Sequence, residues 1–284
     1  MTTTHAPVPR DALDVAIAAA RAAGAELAAT SGRTPGHDAG GPRRAAAAAA
    51  AAVLGARRPQ DAILLAGEAH PGSSGLRWLI EPLDGAPNHQ AGIPLFCASV
   101  ACEDAVGTLA GAIHDPVRDE VFAGVRGGAL RIDGAPAPHP AHAENGRPAL
   151  VCTVAFGTAA RAKRAGKLHR RLGARLDACR ALGSPALELA WTAAGRFDAC
   201  FHEADLSAAA VDAGLFLCQR AGLRVHRLPP LEDGLAPRIL AAREPLAAEL
   251  LELIGPGPNE RRRAAQRAPL SAGSVADAMR RRRR

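Results

Sequence analysis

The spacing of apolar residues divides the chain into two parts with different secondary structure. Apolar positions recur every three to four residues over 11–29 and predict an amphipathic helix, and the alanine-rich run over 43–54 predicts a second helix. The period then shortens, and apolar runs bounded by glycine and Asp-Pro turns predict strands at 62–66, 76–80, 95–101, 108–113, 120–123 and 129–132. We expect an antiparallel, helix-flanked first half.

Strands and helices alternate in the second half, after a proline- and histidine-rich connector at 135–148. Strands are predicted at 150–155, 197–201, 224–226 and 238–241, and helices at 159–172, 185–194, 208–221 and 244–253. This order predicts an α/β protein with two layered lobes that share a cleft. We assign the N-terminal lobe to residues 1–140, the C-terminal lobe to 141–260 and a tail to 261–284.

Composition narrows the class of protein. The 284 residues suffice for a large core, no window of about 20 residues is uncharged and continuously apolar, and residues 1–10 lack a secretory pattern. We therefore predict no membrane span and a cytoplasmic location. The 6 cysteines are scattered without C-x-x-C spacing, which favours reduced core residues over a disulfide or zinc framework.

The positive charge of the chain belongs to its C-terminal end. The arginines at 261–263 and 280–284 together carry more positive charge than the formal net charge of +7, so the rest of the chain is close to neutral. Such a block is typical of a solvated, disordered tail, and contact with nucleic acid through counterion release is the alternative. Aromatic residues make up only 3% and tyrosine is absent, which argues against specific nucleic-acid recognition.

Carboxylates and a tight turn mark one candidate site. Glu81 and Asp84 stand three residues apart at a strand end, with Pro82 fixing the turn between them, and Glu68 lies near another strand end. Convergent oxygens of this kind bind hard cations such as Mg²⁺, and the backbone N–H groups that follow Gly85 can meet phosphate. Taken alone, the E-x-x-D spacing is more typical of a solvated turn.

The longer context of this turn resembles the inositol monophosphatase family. Gly67-Glu68 is similar to the family's G-E-E, the stretch W-L-I-E-P-L-D-G-A-P-N over 78–88 to its W-(I/V)-(I/V)-D-P-(I/L)-D-G-T-T-N, and 92–94 to its G-I-P. Further similarities follow in family order at 112–122, 183–190 and 194–198. The resemblance implies a layered α/β/α/β/α sandwich and a homodimer. It also implies Mg²⁺-dependent hydrolysis of inositol phosphate or a similar small polyol or sugar phosphate.

Carried over residue by residue, the resemblance assigns the metal ligands. Glu68 becomes a bridging ligand, Glu81 stands where the family has aspartate, Leu83 lends its backbone carbonyl, and Asp84 matches directly. Glu68 and Asp84 would also be the catalytic carboxylates. Glu81 is a methylene longer than aspartate, so its ligand atom shifts by roughly a bond length, a displacement that can cost about 10²-fold in rate.

The resemblance also assigns the substrate contacts. Gly85 and the N–H of Ala86 would cradle the phosphate, and Glu203 would face a substrate hydroxyl. The family has a threonine where this chain has Ala86, and that hydroxyl helps to orient the attacking water. A methyl group cannot form this hydrogen bond, so we expect hydrolysis to be impaired.

Two other acidic positions of the family are missing here. The W-D pair of the second lobe falls on Ala209 and Ala210, and Asp212 lies two positions on, about 200° around the helix axis. The acids near the N-terminus fall at 43–47, where the chain has arginine and alanine. The candidates to replace the missing ligands are Asp38 and Asp205, which lie in neighbouring loops, and Asp212.

The sequence gives weaker support for other catalytic residues. His89 is either a proton donor to a leaving group or an exposed loop histidine, and Ser184 lacks the elbow of a serine nucleophile. His202 and Glu203 are neighbours on a predicted strand, so they face opposite sides and do not form an acid–base pair.

Three functions follow from these residues. They are a phosphatase with weak, single-site Mg²⁺ binding and reduced activity, a noncatalytic binding or regulatory scaffold, and a nucleic-acid or transcription-complex accessory that uses the arginine tail.

Overall fold

The computed structural model describes residues 9–31, 40–65, 67–137, 149–154, 159–176, 178–203, 206–230 and 237–255. The helices are α1 (Pro9–Thr30), α2 (Gly40–Arg57), α3 (Ala86–Ala91), α4 (Ala159–Gly173), α5 (Pro185–Ala193), α6 (Ala208–Arg220) and α7 (Leu246–Ile254). The strands are β1 (Ala62–Leu65), β2 (Glu68–His70), β3 (Arg77–Asp84), β4 (Cys97–Asp104), β5 (Gly107–Asp115), β6 (Glu120–Val125), β7 (Arg131–Ile132), β8 (Ala135–Pro136), β9 (Ala149–Val154), β10 (Ala178–Arg180), β11 (Ala199–Glu203), β12 (Arg224–Leu228) and β13 (Arg238–Ala242).

The strands form two sheets, one from each half of the chain. The larger sheet has the order β2-β1-β3-β4-β5-β6-β7-β8, and the smaller has the order β10-β9-β11-β13-β12. The expectation of a purely antiparallel first sheet is wrong at one place, because β1 and β3 run parallel. Between β2 and β3 the chain returns to the start of β1, where Ser73 N donates to Gln60 O at 2.8 Å, so β3 enters from the same end as β1.

Three apolar clusters hold five layers together. α1 and α2 cover one face of the larger sheet, α5 and α6 fill the space between its other face and the smaller sheet, and α4 and α7 cover the outer face of the smaller sheet. Alternation along β3 shows the division, since Trp78 and Ile80 face α1 and α2 while Leu79 faces α5 and α6. The predicted α/β/α/β/α sandwich is confirmed.

The shortest helix and several of the shortest strands were not predicted from the sequence. β2, α3, β8 and β10 are each six residues or fewer, too short to show a period in the sequence. The predicted strand at 197–201 begins instead at Ala199 and extends to Glu203. The lobe boundary at 140/141 and the tail over 261–284 lie outside the described residues, so these assignments stay predictions. Within the described part of the chain, no helix combines the length and apolarity needed to cross a bilayer.

The alanine-rich helices pack closely on the larger sheet because their small side chains allow it. Ala16 and Ala20 of α1 and Ala46 and Ala50 of α2 are completely buried. The closest approach is at Gly24, where an added Cβ would lie 2.0 Å from Nδ1 of His114 on β5. The His114 ring is buried and its Nε2 lies 3.1 Å from Asp119 Oδ1, so it has little freedom to retreat.

We expect Gly24→Ala to lower the free energy of unfolding by about 1–3 kcal/mol, because the new methyl group overlaps the His114 ring. Gly55→Ala is the matched control, since Gly55 also lies in a helix and no atom comes within 4 Å of its added Cβ. The control is expected to be neutral or to stabilise by up to about 1 kcal/mol. Urea unfolding measures both, and equal stabilities of the two variants would contradict the close packing.

Candidate active site

The candidate site forms where β3 ends and α3 begins. Gly85 joins the two elements with a left-handed φ of 85°. A Cβ at this position would lie 2.8 Å from Leu95 O and 3.1 Å from Ser184 Cβ, so glycine is required both by backbone conformation and by space. The turn thereby brings the end of β3 against residues of the second half of the chain.

Asp84 is buried at this junction and is tied to the start of α5. Its Oδ2 accepts hydrogen bonds from Ser184 Oγ at 2.5 Å and from Ala186 N at 2.9 Å. Burial raises the pKa of Asp84 to about 7, although these two hydrogen bonds oppose the rise. The carboxylate is therefore engaged by protein donors in the described structure.

Glu81 is paired with an arginine that the sequence prediction missed. Arg43 Nη2, near the start of α2, lies 3.0 Å from Glu81 Oε1 and 3.4 Å from Oε2. The Glu81 side chain is 12% exposed and that of Arg43 is 41% exposed. Burial raises the pKa of Glu81, and the Arg43 charge and a hydrogen bond to the backbone of Leu83 oppose that rise. The protein supplies its own cation to this carboxylate.

The other two predicted metal ligands lie around this pair. Glu68 is exposed on β2, and the sheet register places it beside Leu65, which in turn pairs with Ile80, the neighbour of Glu81. Glu68 and Glu81 are therefore at the same end of the larger sheet, two strands apart. The side chain of Leu83 is buried in the core against α1 and α2, and its backbone stays at the turn.

At the alanine positions where this chain differs from the family, the side chains offer neither a metal ligand nor a hydroxyl group. Ala86 is the half-buried first residue of α3, and Ala209 and Ala210 are buried in the first turn of α6. Asp212 forms an ion pair with Arg227 of β12 at 2.5 Å, so its carboxylate is engaged there.

Two acidic residues considered as replacements, Asp38 and Asp205, lie outside the described residues. Whether either replaces a missing ligand stays a prediction.

Glu203 and His202 point to opposite faces of β11, as the strand argument predicted. Glu203 is buried, and its Oε1 accepts a hydrogen bond from Arg164 Nε of α4 at 2.9 Å. A role for Glu203 in binding a substrate hydroxyl stays a prediction, and it requires this carboxylate to serve both Arg164 and the ligand. His202 faces the α5 side, where its Nε2 lies 3.5 Å from Glu188 Oε2.

His89 is not an exposed loop histidine, which was one of the two interpretations of this residue. α3 turns its side chain inward, so it is 2% exposed. Its ring packs edge-on against Phe96, with 4.7 Å between ring centroids, and its Nε2 lies 3.3 Å from Thr30 Oγ1. The prediction failed because α3 is too short to have been recognised, and it is this helix that carries His89 into the core.

A second contact joins the halves beside Asp84. Asn88 Nδ2 donates to Leu95 O at 2.7 Å and to Leu182 O at 2.6 Å. The Ser184 hydroxyl donates to Asp84 and so holds the site together, which agrees with rejecting Ser184 as a nucleophile. The sequence marks Ser184 as the N-cap of a proline-led helix, but its side chain makes no capping hydrogen bond and binds Asp84 instead, which the N-cap signal does not predict.

Comparison with known proteins decides the family. A sequence model described as the inositol monophosphatase family matches residues 10–258. This chain belongs to the inositol monophosphatase family. Among solved structures, the extragenic suppressor protein suhB of Bartonella henselae aligns over 87% of this chain and 99% of its own, with a TM-score of 0.76 and 25% identity. An inositol monophosphatase from Anabaena aligns over 85% and 94%, with a TM-score of 0.71 and 28% identity.

Curated relatives match a shorter part of the chain. The inositol-1-monophosphatase of Mesorhizobium japonicum is 35% identical over 63% of this chain and 67% of its own. The protein of that name from Rhizobium meliloti is 36% identical over 55% and 59%. Nus factor SuhB of Escherichia coli is 31% identical over 58% and 62%. The matched region thus spans about three fifths to two thirds of these relatives, and two different activities are named among them.

Members of this family are metal-dependent and typically use Mg²⁺. As they stand, the residues of this chain do not fit such an ion. Glu81 is already neutralised by Arg43, one oxygen of Asp84 accepts two hydrogen bonds, and Ala86 offers no hydroxyl. Mg²⁺ prefers several free oxygen ligands in octahedral geometry, so it has to displace a guanidinium to bind here.

We expect Arg43→Ala to increase the affinity for Mg²⁺ by about tenfold or more, because Glu81 loses its positive partner and is freed for an ion. Arg44→Ala is the matched control, since Arg44 is the next residue of α2 and is exposed. Isothermal titration with Mg²⁺ measures both variants and the natural chain. Equal affinities in all three proteins would show that Arg43 does not control access to Glu81.

Proposed function

We propose that this chain binds a small phosphorylated polyol or sugar at the end of β3 and hydrolyses it slowly or not at all. The Arg43–Glu81 ion pair carries the proposal, because it places a fixed monovalent cation against the carboxylate that the family resemblance assigns to the metal. An arginine neutralises charge but does not activate a bound water as a divalent ion does. Weak binding of a single Mg²⁺, in competition with Arg43, belongs to the same proposal.

The lost hydroxyl and carboxylate positions support reduced turnover. Ala86 has no group to orient an attacking water, and Ala210 has none to hold a second ion. Either loss alone weakens two-metal hydrolysis, and the Arg43–Glu81 pair adds to both, because it engages a third group assigned to that chemistry. Gly85 and the backbone around it keep the shape of the turn, so recognition of a phosphate ester outlasts its hydrolysis in this proposal.

A noncatalytic scaffold is the second candidate function. Relatives named Nus factor SuhB in Escherichia coli and Pasteurella multocida share 31% identity with this chain, which is similar to its identity with several named phosphatases. The intact fold with an altered cleft favours such a role, in which the chain contacts a macromolecular partner. The homodimer, the cytoplasmic location and a nucleic-acid contact through the arginine tail stay predictions.

Phosphate release from inositol 1-phosphate across a series of Mg²⁺ concentrations tests the proposal. Four proteins are compared: the natural chain, a Glu68→Gln/Asp84→Asn negative control, a repaired chain with Glu81→Asp, Ala86→Thr and Ala210→Asp, and the repaired chain with Arg43→Glu added. We expect the natural chain to be close to the negative control and the last variant to be at least about 10²-fold faster. Isothermal titration with inositol 1-phosphate measures retained binding.

Robust Mg²⁺-dependent turnover by the natural chain would overturn the claim of impaired chemistry. Absence of both turnover and inositol 1-phosphate binding in the natural chain would favour the scaffold role.

A further inference from the structure

A separate group of ligand atoms lies in the interior, between α5 and β11. Glu188 of α5 and Cys200 and His202 of β11 are each 0% exposed. Cys200 and His202 are two residues apart on one strand, so their side chains share the face that packs on α5. None of these residues is an assigned metal ligand of the β3 cleft, and their mixture of sulfur, nitrogen and oxygen differs chemically from that carboxylate cluster.

The three ligand atoms converge on one point. Cys200 Sγ lies 3.1 Å from His202 Nε2, and Glu188 Oε2 lies 3.5 Å from the same nitrogen. All three atoms lie within 4.8 Å of one another. Zinc bonds of about 2.0–2.3 Å at tetrahedral angles separate neighbouring ligand atoms by roughly 3.3–3.7 Å, so small adjustments place one ion among them.

Hydrogen bonding alone does not satisfy this group. His202 Nε2 faces both a thiol and a carboxylate, but a neutral ring nitrogen either donates one hydrogen bond or accepts one. Its Nδ1 is buried without a hydrogen-bond partner among the described residues, so the polar contacts of the ring are made through Nε2. Burial lowers the pKa of His202 to about 4, which keeps the ring in the neutral form that binds metals.

Charge and support also favour a divalent ion. A thiolate, a carboxylate and a neutral imidazole carry two negative charges together, so a divalent cation makes the buried cluster neutral. The second oxygen of Glu188 accepts hydrogen bonds from Leu182 N at 2.6 Å and Gly183 N at 3.1 Å. These bonds orient the carboxylate, as hydrogen bonds around a metal site commonly orient its ligands. Thr192, one turn further along α5, donates its hydroxyl to the backbone carbonyl of Glu188 at 2.7 Å.

We propose that Glu188, Cys200 and His202 bind one Zn²⁺ ion in the core between α5 and β11. The thiolate and imidazole select zinc over Mg²⁺, which prefers oxygen ligands alone. Binding releases the thiol proton of Cys200 to solvent and leaves the His202 proton on Nδ1. Because the ligands are fully buried, the ion enters as the chain folds and stabilises α5 against the smaller sheet.

The test uses the full chain, refolded under reducing conditions with Zn²⁺, Co²⁺ or Mg²⁺ and then desalted. Metal content is measured by mass spectrometry, and Co²⁺ ligation by the near-ultraviolet thiolate-to-cobalt charge-transfer band. Cys200→Ser removes the sulfur ligand. Cys218→Ser is the matched control, because Cys218 is also 0% exposed and its thiol contacts Leu189 O instead. A Glu81→Gln/Asp84→Asn variant removes two carboxylates of the β3 cleft, so that ions bound there are distinguished from ions bound at Cys200.

We expect one equivalent of Zn²⁺ or Co²⁺, none of Mg²⁺, and a charge-transfer band in the natural chain. The band is expected to persist in Cys218→Ser and in the cleft variant and to disappear in Cys200→Ser. Refolding with a chelator should lower the melting temperature of the natural chain. Less than about a tenth of an equivalent of zinc in the refolded natural chain would overturn the proposal, as would a band that survives in Cys200→Ser.

Discussion

The buried carboxylate of Asp84 connects the two halves of this chain, and the cleft depends on that connection. It accepts hydrogen bonds from Ser184 and Ala186, about a hundred residues further along the chain, at the N-terminus of the helix that lies between the two sheets. Leaving such a buried acceptor without a partner costs about 1–3 kcal/mol, so the contact is worth preserving for the fold alone. The structural role of Asp84 is therefore independent of any role in binding a metal ion.

The Arg43–Glu81 ion pair opposes the binding of a divalent ion in this cleft. Two unit charges about 4 Å apart near a protein surface interact by about 4 kcal/mol before solvent screening, and the partial exposure of Arg43 reduces that figure. A divalent ion must overcome the remaining attraction and also lose part of its tightly held water. This chain has glutamate at 81 where the family has aspartate, and the longer side chain contacts the guanidinium of Arg43. The two departures from the family thus act together.

Much of this account could be predicted from the sequence, and the part that could not has clear causes. The order of strands and helices predicted an α/β protein with two layered lobes, and the five layers were predicted because the motifs around Asp84 and at 183–198 resemble a known family. The arginine and alanine at 43–47 were recognised as a loss of acid, but the reach of Arg43 to Glu81 depends on how α2 lies on the larger sheet. Likewise, Ser184 and His89 acquire their contacts only through tertiary packing.

The central claim is that an arginine, and not a metal ion, is the partner of Glu81. A crystal of the natural chain soaked in Mn²⁺, with anomalous data collected at the manganese edge, tests it most directly. We expect the Arg43–Glu81 pair to remain, with at most a weak anomalous peak beside Asp84. A strong peak coordinated by both Glu81 and Asp84, with the Arg43 side chain moved away, would contradict it.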